Sequence, residues 1–335
     1  MRLKDKIVLY LRLSRIHGAA SESLLILIAA MIMGQTSIFA LFVLFCIGIL
    51  YHIHIFVLNE YADIDVDRLS KDLKKKPLVS GDIPKNNARI IVVIAAITTI
   101  AITIVFFKSF SALLFLLLAL FFGTLYDFYG KKIIGYSDTL IAASLSFIFL
   151  YGAGTVSEHL TTIIYIIAGM IFVAIIFANA VEGGLKDVDH DYLGGAKTLA
   201  TLMGVTVNDG NLQISTRFRF FGCSLIGICF VLLLLLGYQP EIHFQEEEFG
   251  KLTLLVVLSI IILVMSCRLL TLKKFDRAQI KRLYAVLNST AGIMLLVLLV
   301  PLIGLVPICI LIIIPITWYV LFNIVLYGKP LQPVV

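Results

Sequence analysis

Charge is scarce in this chain. Of its 335 residues only 14% are Asp, Glu, Lys or Arg, while 60% are hydrophobic. A soluble domain is about a quarter charged and nearer half apolar. Polar faces at helical spacing, which a soluble core helix would need, are missing from segments such as Val231–Leu236 and Ile310–Ile314. Strict apolar–polar alternation is missing as well, which excludes a membrane β-barrel. The five cysteines, Cys46, Cys223, Cys229, Cys267 and Cys309, form no CxxC pair, so neither zinc nor a disulfide is assigned. No small-residue cleavage site follows the basic N-terminus, and no signal peptide is expected. The interiors of the apolar runs are nearly free of charge. That counts against a transporter or channel, whose pathway acids lie near the midplane.

What is present is a series of apolar blocks of the length a spanning helix needs, about 20 residues each. They fall near 17–35, 37–58, 88–107, 110–126, 137–154, 161–181, 218–238, 251–270, 283–301 and 303–326. Only helices satisfy every backbone group of such runs in lipid. The fold class is therefore all-α, a polytopic membrane helical bundle with nine core spans and a tenth, and 1–335 reads as a single transmembrane domain. Pro301 and Pro307 crowd the last junction, so nine spans with a re-entrant or bent end is the other arrangement. With ten spans, all but two of the 27 Lys and Arg fall on one side, the exceptions being Lys108 and Lys251. The positive-inside rule makes that side cytoplasmic, in a cell membrane. The net charge of +6 is then topology and attraction to anionic lipids rather than a sign of nucleic acid.

Polar residues concentrate in two cytoplasmic loops, 59–87 and 182–217, and in an external loop, 239–250, whose Glu246, Glu247 and Glu248 read as a solvated run. Each cytoplasmic loop opens at the end of a span with a group of acids and then turns basic. The first reads Asn59-Glu60-Tyr61-Ala62-Asp63-Ile64-Asp65-Val66-Asp67. If the second span continues as a helix, Asn59, Asp63 and Asp67 form one stripe at i, i+4, i+8. The second reads Lys186-Asp187-Val188-Asp189-His190-Asp191, with Asp187 and Asp191 at i, i+4 and Glu182 a turn earlier. Like charges at this spacing repel, and a helix C-terminus disfavours anions. A pair of solvated loops would carry this cost twice for nothing; a bound cation would offset it. Carboxylate and amide oxygens without sulfur suit Mg²⁺ or Ca²⁺, and Mg²⁺ commonly completes its shell with water and substrate phosphate. Lys74 and Lys85 read as topology signals, whereas Lys76, Lys132 and Lys197 are placed to neutralise an anion beside such a metal.

In these motifs the chain resembles the UbiA superfamily of intramembrane prenyltransferases. The family's NDxxDxxxD signature, followed by a basic residue and PxPSG, stands here as Asn59, Glu60, Asp63 and Asp67, then Lys76-Pro77-Leu78-Val79-Ser80-Gly81. Its DxxDxxxD signature stands as Gly184, Asp187 and Asp191, then Gly194-Gly195-Ala196-Lys197-Thr198-Leu199. Tyr126, Lys131-Lys132 and Gly135 match a third conserved stretch. Two positions depart from the pattern: Glu60 lengthens an Asp, and Gly184 removes the first acid of the second signature, for which Glu182 could substitute. The resemblance implies Mg²⁺ held by Asn59, Asp63, Asp67, Asp187 and Asp191, and a polyprenyl diphosphate contacted or supported by Asn59, Lys76, Tyr126, Lys132 and Lys197. It implies prenyl transfer to a membrane-associated acceptor. An aromatic quinone precursor is taken first, with geranylgeranylglyceryl phosphate of archaeal-type ether lipids as the alternative. His17, in Arg15-Ile16-His17-Gly18, is either an acceptor contact or an ordinary interfacial histidine. The competing CDP-alcohol phosphotransferases carry a DGxxAR-type cluster that is not found.

Overall fold

The computed structural model describes residues 3–68, 72–130, 137–194, 198–242 and 249–330, with Val66, Asp72, 190–194 and Phe249 described by their backbone alone. Among these, nine helices are long and apolar enough to cross a membrane: Ile38–Asp65, Lys85–Phe106, Phe110–Tyr129, Ser137–Gly154, Thr162–Asp189, Thr216–Gly237, Gly250–Leu270, Arg277–Ile303 and Leu305–Tyr327. A tenth is made by a bent pair, Leu3–Leu13 and Ile16–Ile32, meeting at 57°. The all-α expectation holds, and the chain is a multi-pass membrane protein. The bend lies at the opposite end from the one expected. The last two spans are separate helices, because Gly304 at φ +90° gives the chain a one-residue turn between them. The first span breaks instead, at Arg15, whose φ of 47° leaves the right-handed helix.

The helices are α1 (Leu3–Leu13), α2 (Ala20–Ile32, after a 3₁₀ turn at Ile16–Gly18), α3 (Ile38–Asp67), α4 (Pro77–Ser80), α5 (Lys85–Phe106), α6 (Phe110–Tyr129), α7 (Ser137–Gly154), α8 (Thr162–Ile176), α9 (Gly184–Gly194), α10 (Leu199–Leu202), α11 (Thr216–Gly237), α12 (Phe249–Leu270), α13 (Arg277–Ile303) and α14 (Leu305–Tyr327). A π-helical turn, Phe177–Gly183, joins α8 to α9. Outward faces are apolar, as lipid requires: Ile90, Val93, Ile94 and Ile97 line one exposed side of α5.

The chain divides into two compact units. The first comprises Met1–Lys131, Ala143–Ile164 and Cys309–Val335. Beneath its acidic motif, Leu13, Val57, Leu58, Ile64, Leu78, Ile83, Ala88 and Val92 form a buried cluster from α1, α3, α4, α5 and the turn before α5. That packing fixes the loop after α3 against the helix carrying the acids. Buried hydroxyls find partners across helices: Tyr51 with Ser144 at 2.6 Å and Thr103 with Tyr151 at 3.0 Å. On the face read as external, the Glu158 carboxylate accepts the Phe110 and Ser111 backbone N–H groups at 2.8 and 2.9 Å, capping α6. These bonds, that from Ser111 foremost, hold its carboxyl below the usual carboxylate range.

The second unit comprises Lys132–Ala142 and Tyr165–Ile308. Its core gathers Phe177, Val181, Leu185, Val188, Ala200, Val205, Leu212, Phe218 and Ile280 beneath the second acidic motif. The loop 182–217 holds a hairpin that the sequence reading did not anticipate. Strands β1 (Thr206–Asn208) and β2 (Asn211–Gln213) pair antiparallel in the register Thr206↔Gln213. Asp209 and Gly210, both at positive φ, make the two-residue turn, and this Asp-Gly pair is the signal that could have revealed it. The hairpin is tied to the 271–276 loop by Leu212 N–H to Lys273 O (2.9 Å) and Phe275 N–H to Gly210 O (2.9 Å).

Candidate active site

The second span does continue as a helix past its apolar part, through Asp67, so Asn59, Asp63 and Asp67 lie along one side of α3. Glu60 and Asp67 are each only 6% exposed. Lys76, delivered by the turn before Pro77, places Nζ 2.8 Å from Asp67 Oδ2 and 3.1 Å from Glu60 Oε2. The other Glu60 oxygen accepts from the Arg15 guanidinium, which also lies 5.5 Å over the Phe56 ring. Glu60, at the position where the resemblance carries Asp, thus serves as a bridge between two cations. Asn59 Nδ2 donates to Asp127 Oδ1 at 3.0 Å, which leaves the amide oxygen of Asn59 as its donor toward a metal. Asp127, buried on α6 beside Tyr126, was missed by the sequence reading, although an acid closing an apolar span is a visible signal. Tyr126 sits half-buried in the last turns of α6. Asp65 points away: its side chain is 84% exposed and only loosely paired with Arg68 and Lys85, each at 3.6 Å. That agrees with reading Lys85 as a surface charge.

The second motif lies on α9. Asp187 is 47% exposed at its side chain, with Lys186 Nζ at 3.5 Å and Arg277 Nη2 at 3.9 Å. Arg277 is bound more closely to Asp189, at 2.8 Å, and its Nε donates to Lys186 O at 3.0 Å. It too was missed, having been counted among the basic residues of a topology loop. Glu182, in the π-helical turn, is within electrostatic reach of Asp187, Lys186 and Lys281. π-turns of this kind recur at functional sites. The side chain of Asp191, together with Lys132 and Lys197, falls outside the described residues.

Gly184 now has a physical reason. A Cβ built there would lie 2.9 Å from Ala200 Cβ, so the acid of the family signature has no room while α10 packs in this place. Restoring it as Gly184→Asp is expected to destabilise the protein by about 1–3 kcal/mol through overpacking. Thermal unfolding would show a lowered midpoint, recovered in part by Ala200→Gly; an unchanged midpoint would contradict the close contact.

Among the described residues no three His, Cys, Asp or Glu side chains already converge as a metal cage. Mg²⁺ does not require one, since it takes one or two carboxylates and fills its shell with water and phosphate. The donor sets are all oxygen, and Asp187 is exposed enough to reach a ligand. Both motifs therefore fit that ion.

Comparison with known proteins agrees with this chemistry. The model of the UbiA prenyltransferase family matches residues 23–240. Digeranylgeranylglyceryl phosphate synthase of Saccharolobus solfataricus is 24% identical over 201 residues, spanning 57% of this chain and 70% of that protein. A solved digeranylgeranylglyceryl phosphate synthase shares the fold with a TM-score of 0.70 at 20% identity, over 90% of this chain and 100% of that one. A UbiA homologue from Archaeoglobus fulgidus, solved with DMAPP and Mg²⁺, aligns with a TM-score of 0.60 at 17% identity, over 86% of this chain and 98% of that one. The chain belongs to the UbiA prenyltransferase family, and it is a prenyltransferase.

Proposed function

We propose that this enzyme transfers a polyprenyl group from a polyprenyl diphosphate to a membrane-associated acceptor, with Mg²⁺, at the cytoplasmic face of the cell membrane. The observation that carries the reading is the buried pair Glu60 and Asp67 held by Lys76 at the end of a 30-residue apolar helix. Carboxylates there are costly unless they serve a cation. Asn59, Asp63 and Asp67 would hold one metal, and Asp187 and Asp191 another. When bound, Mg²⁺ supplies positive charge that offsets the charge of the departing diphosphate. Lys76, Lys132 and Lys197 add ammonium charge to the same anion, and Tyr126 supports the diphosphate end. The apolar spans exclude water from the allylic cation that ionisation leaves. The A. fulgidus homologue, solved with DMAPP and Mg²⁺, supports this assignment of donor and metal.

The acceptor is the finer question. The likeness to digeranylgeranylglyceryl phosphate synthases supports a glycerol hydroxyl of an isoprenyl glyceryl phosphate over the aromatic ring that the sequence reading put first. The test offers the purified protein radiolabelled geranylgeranyl diphosphate, Mg²⁺ and each acceptor in turn. Label in an acid-stable ether lipid supports the glyceryl phosphate reading, and label on the aromatic compound reinstates the other. No labelled product with any acceptor would overturn polyprenyl transfer itself.

A further inference from the structure

We propose that α14, through Trp318, positions Arg15 and so sets the first acidic motif for diphosphate binding; this rests on the diphosphate reading of that motif. The argument begins at the break between α1 and α2. Arg15 adopts φ 47°, ψ 40°, a left-handed conformation that costs a non-glycine residue energy and persists only where its surroundings impose it. Both carbonyls at the break accept a turn bond from their own segment, Gly18 N–H to Arg15 O and Ala19 N–H to Ile16 O. Each also accepts a second bond from a distant side chain. His52 Nε2, on α3, donates to Arg15 O at 3.1 Å, and its Nδ1 is held by Glu22 at 2.9 Å. Trp318 Nε1, on α14, donates to Ile16 O at 2.7 Å.

The C-terminal end of α14 grips the same segment from the other flank. Arg12, on α1, donates to Leu326 O, satisfying a carbonyl of the last turn of α14, and lies 5.4 Å over the Tyr327 ring. Ile16, Ala19 and Leu326 are buried together beside Trp318. What the clamped break carries is the Arg15 side chain, and that side chain holds Glu60. Glu60 shares Lys76 with Asp67. A contiguous series of polar contacts therefore runs from Trp318 to the acids that would meet the metal. Its far end lies outside residues 23–240, the part that carries the family pattern. Loosening the break lets Arg15 leave Glu60, and Glu60 then draws Lys76 away from the diphosphate.

Trp318→Phe keeps the ring and deletes the donor. In the full-length protein with Mg²⁺, the KM for geranylgeranyl diphosphate is expected to rise roughly three- to tenfold, the ratio that loss of one neutral hydrogen bond gives, with any fall in kcat accompanying that rise and no larger than it. Arg15→Gln weakens binding on its own, and the double variant is expected to be no weaker than Arg15→Gln alone, because both changes act on one contact series. In protein without ligand, the amides of residues 15–19 are expected to exchange hydrogen faster in Trp318→Phe. Additive losses in the two variants, or a lowered kcat at constant KM, would overturn the positioning role. Unchanged exchange at residues 15–19 would overturn the clamp whatever the ligand does. Failure of the wild type to bind any prenyl diphosphate would instead count against the function, and the exchange result would still decide the clamp.

Discussion

Asp187→Ala is expected to cut Mg²⁺-dependent prenyl transfer by roughly 10²–10³-fold, the scale on which one charge-stabilising group acts at a reacting centre, while leaving thermal unfolding near that of the wild type. The two halves of this expectation have separate causes. Asp187 is nearly half exposed, and its ion pairs, at 3.5 and 3.9 Å, are of the kind that contribute about 0–1 kcal/mol or less. Arg277 keeps its closer partner, Asp189 at 2.8 Å, and its bond to Lys186 O. Removing the carboxylate also relieves Glu182 of a like charge. The fold has little to lose, so a lost activity reports a lost metal ligand. Side-by-side turnover and unfolding curves on purified protein decide it. Normal turnover sinks the assignment, and a large fall in the unfolding midpoint would make Asp187 a structural residue.

The spans were legible in the sequence because lipid leaves only one solution for long apolar runs, and the ten blocks correspond to the nine spanning helices and the bent pair. The break at Arg15 was not, because hydropathy averages over the backbone and no glycine or proline stands at Arg15 to mark it. The acidic motifs were legible for a local reason: Asn59, Asp63 and Asp67 are helix neighbours, so their spacing alone places them on one face. Their partners were not. Asp127 reaches Asn59 across 68 positions, and Arg277 reaches Asp189 across 88. Only folding brings such pairs together, and a single sequence shows just half of each. Gly184 was read as a missing ligand; the structure shows a packing contact with Ala200, a reason that no local motif contains.

Lys76→Gln is expected to couple stability to Mg²⁺ in a way the wild type does not. In the wild type the Lys76 ammonium stands 2.8 Å from Asp67 and 3.1 Å from Glu60, and so competes with a metal for the same oxygens. Its removal leaves two carboxylates, each 6% exposed, with the Arg15 guanidinium still paired to Glu60. Stranding one side of a buried ion pair costs about 3–5 kcal/mol, and nearer 2–3 here because Lys76 itself is partly exposed. The variant should therefore unfold at a lower temperature in chelator. Mg²⁺ should then bind the vacated oxygens more tightly than in the wild type, and by mass action stabilise the variant more. Turnover should stay low even at saturating Mg²⁺, because an ammonium that offsets the diphosphate charge is gone. Unfolding midpoints and turnover measured across one Mg²⁺ titration separate these effects. Equal stabilisation of the two proteins by Mg²⁺ would show that the metal does not meet Asp67. In the wild type, chelation should stop transfer and added Mg²⁺ should restore it; transfer that persists in excess chelator would place the chemistry in a different class.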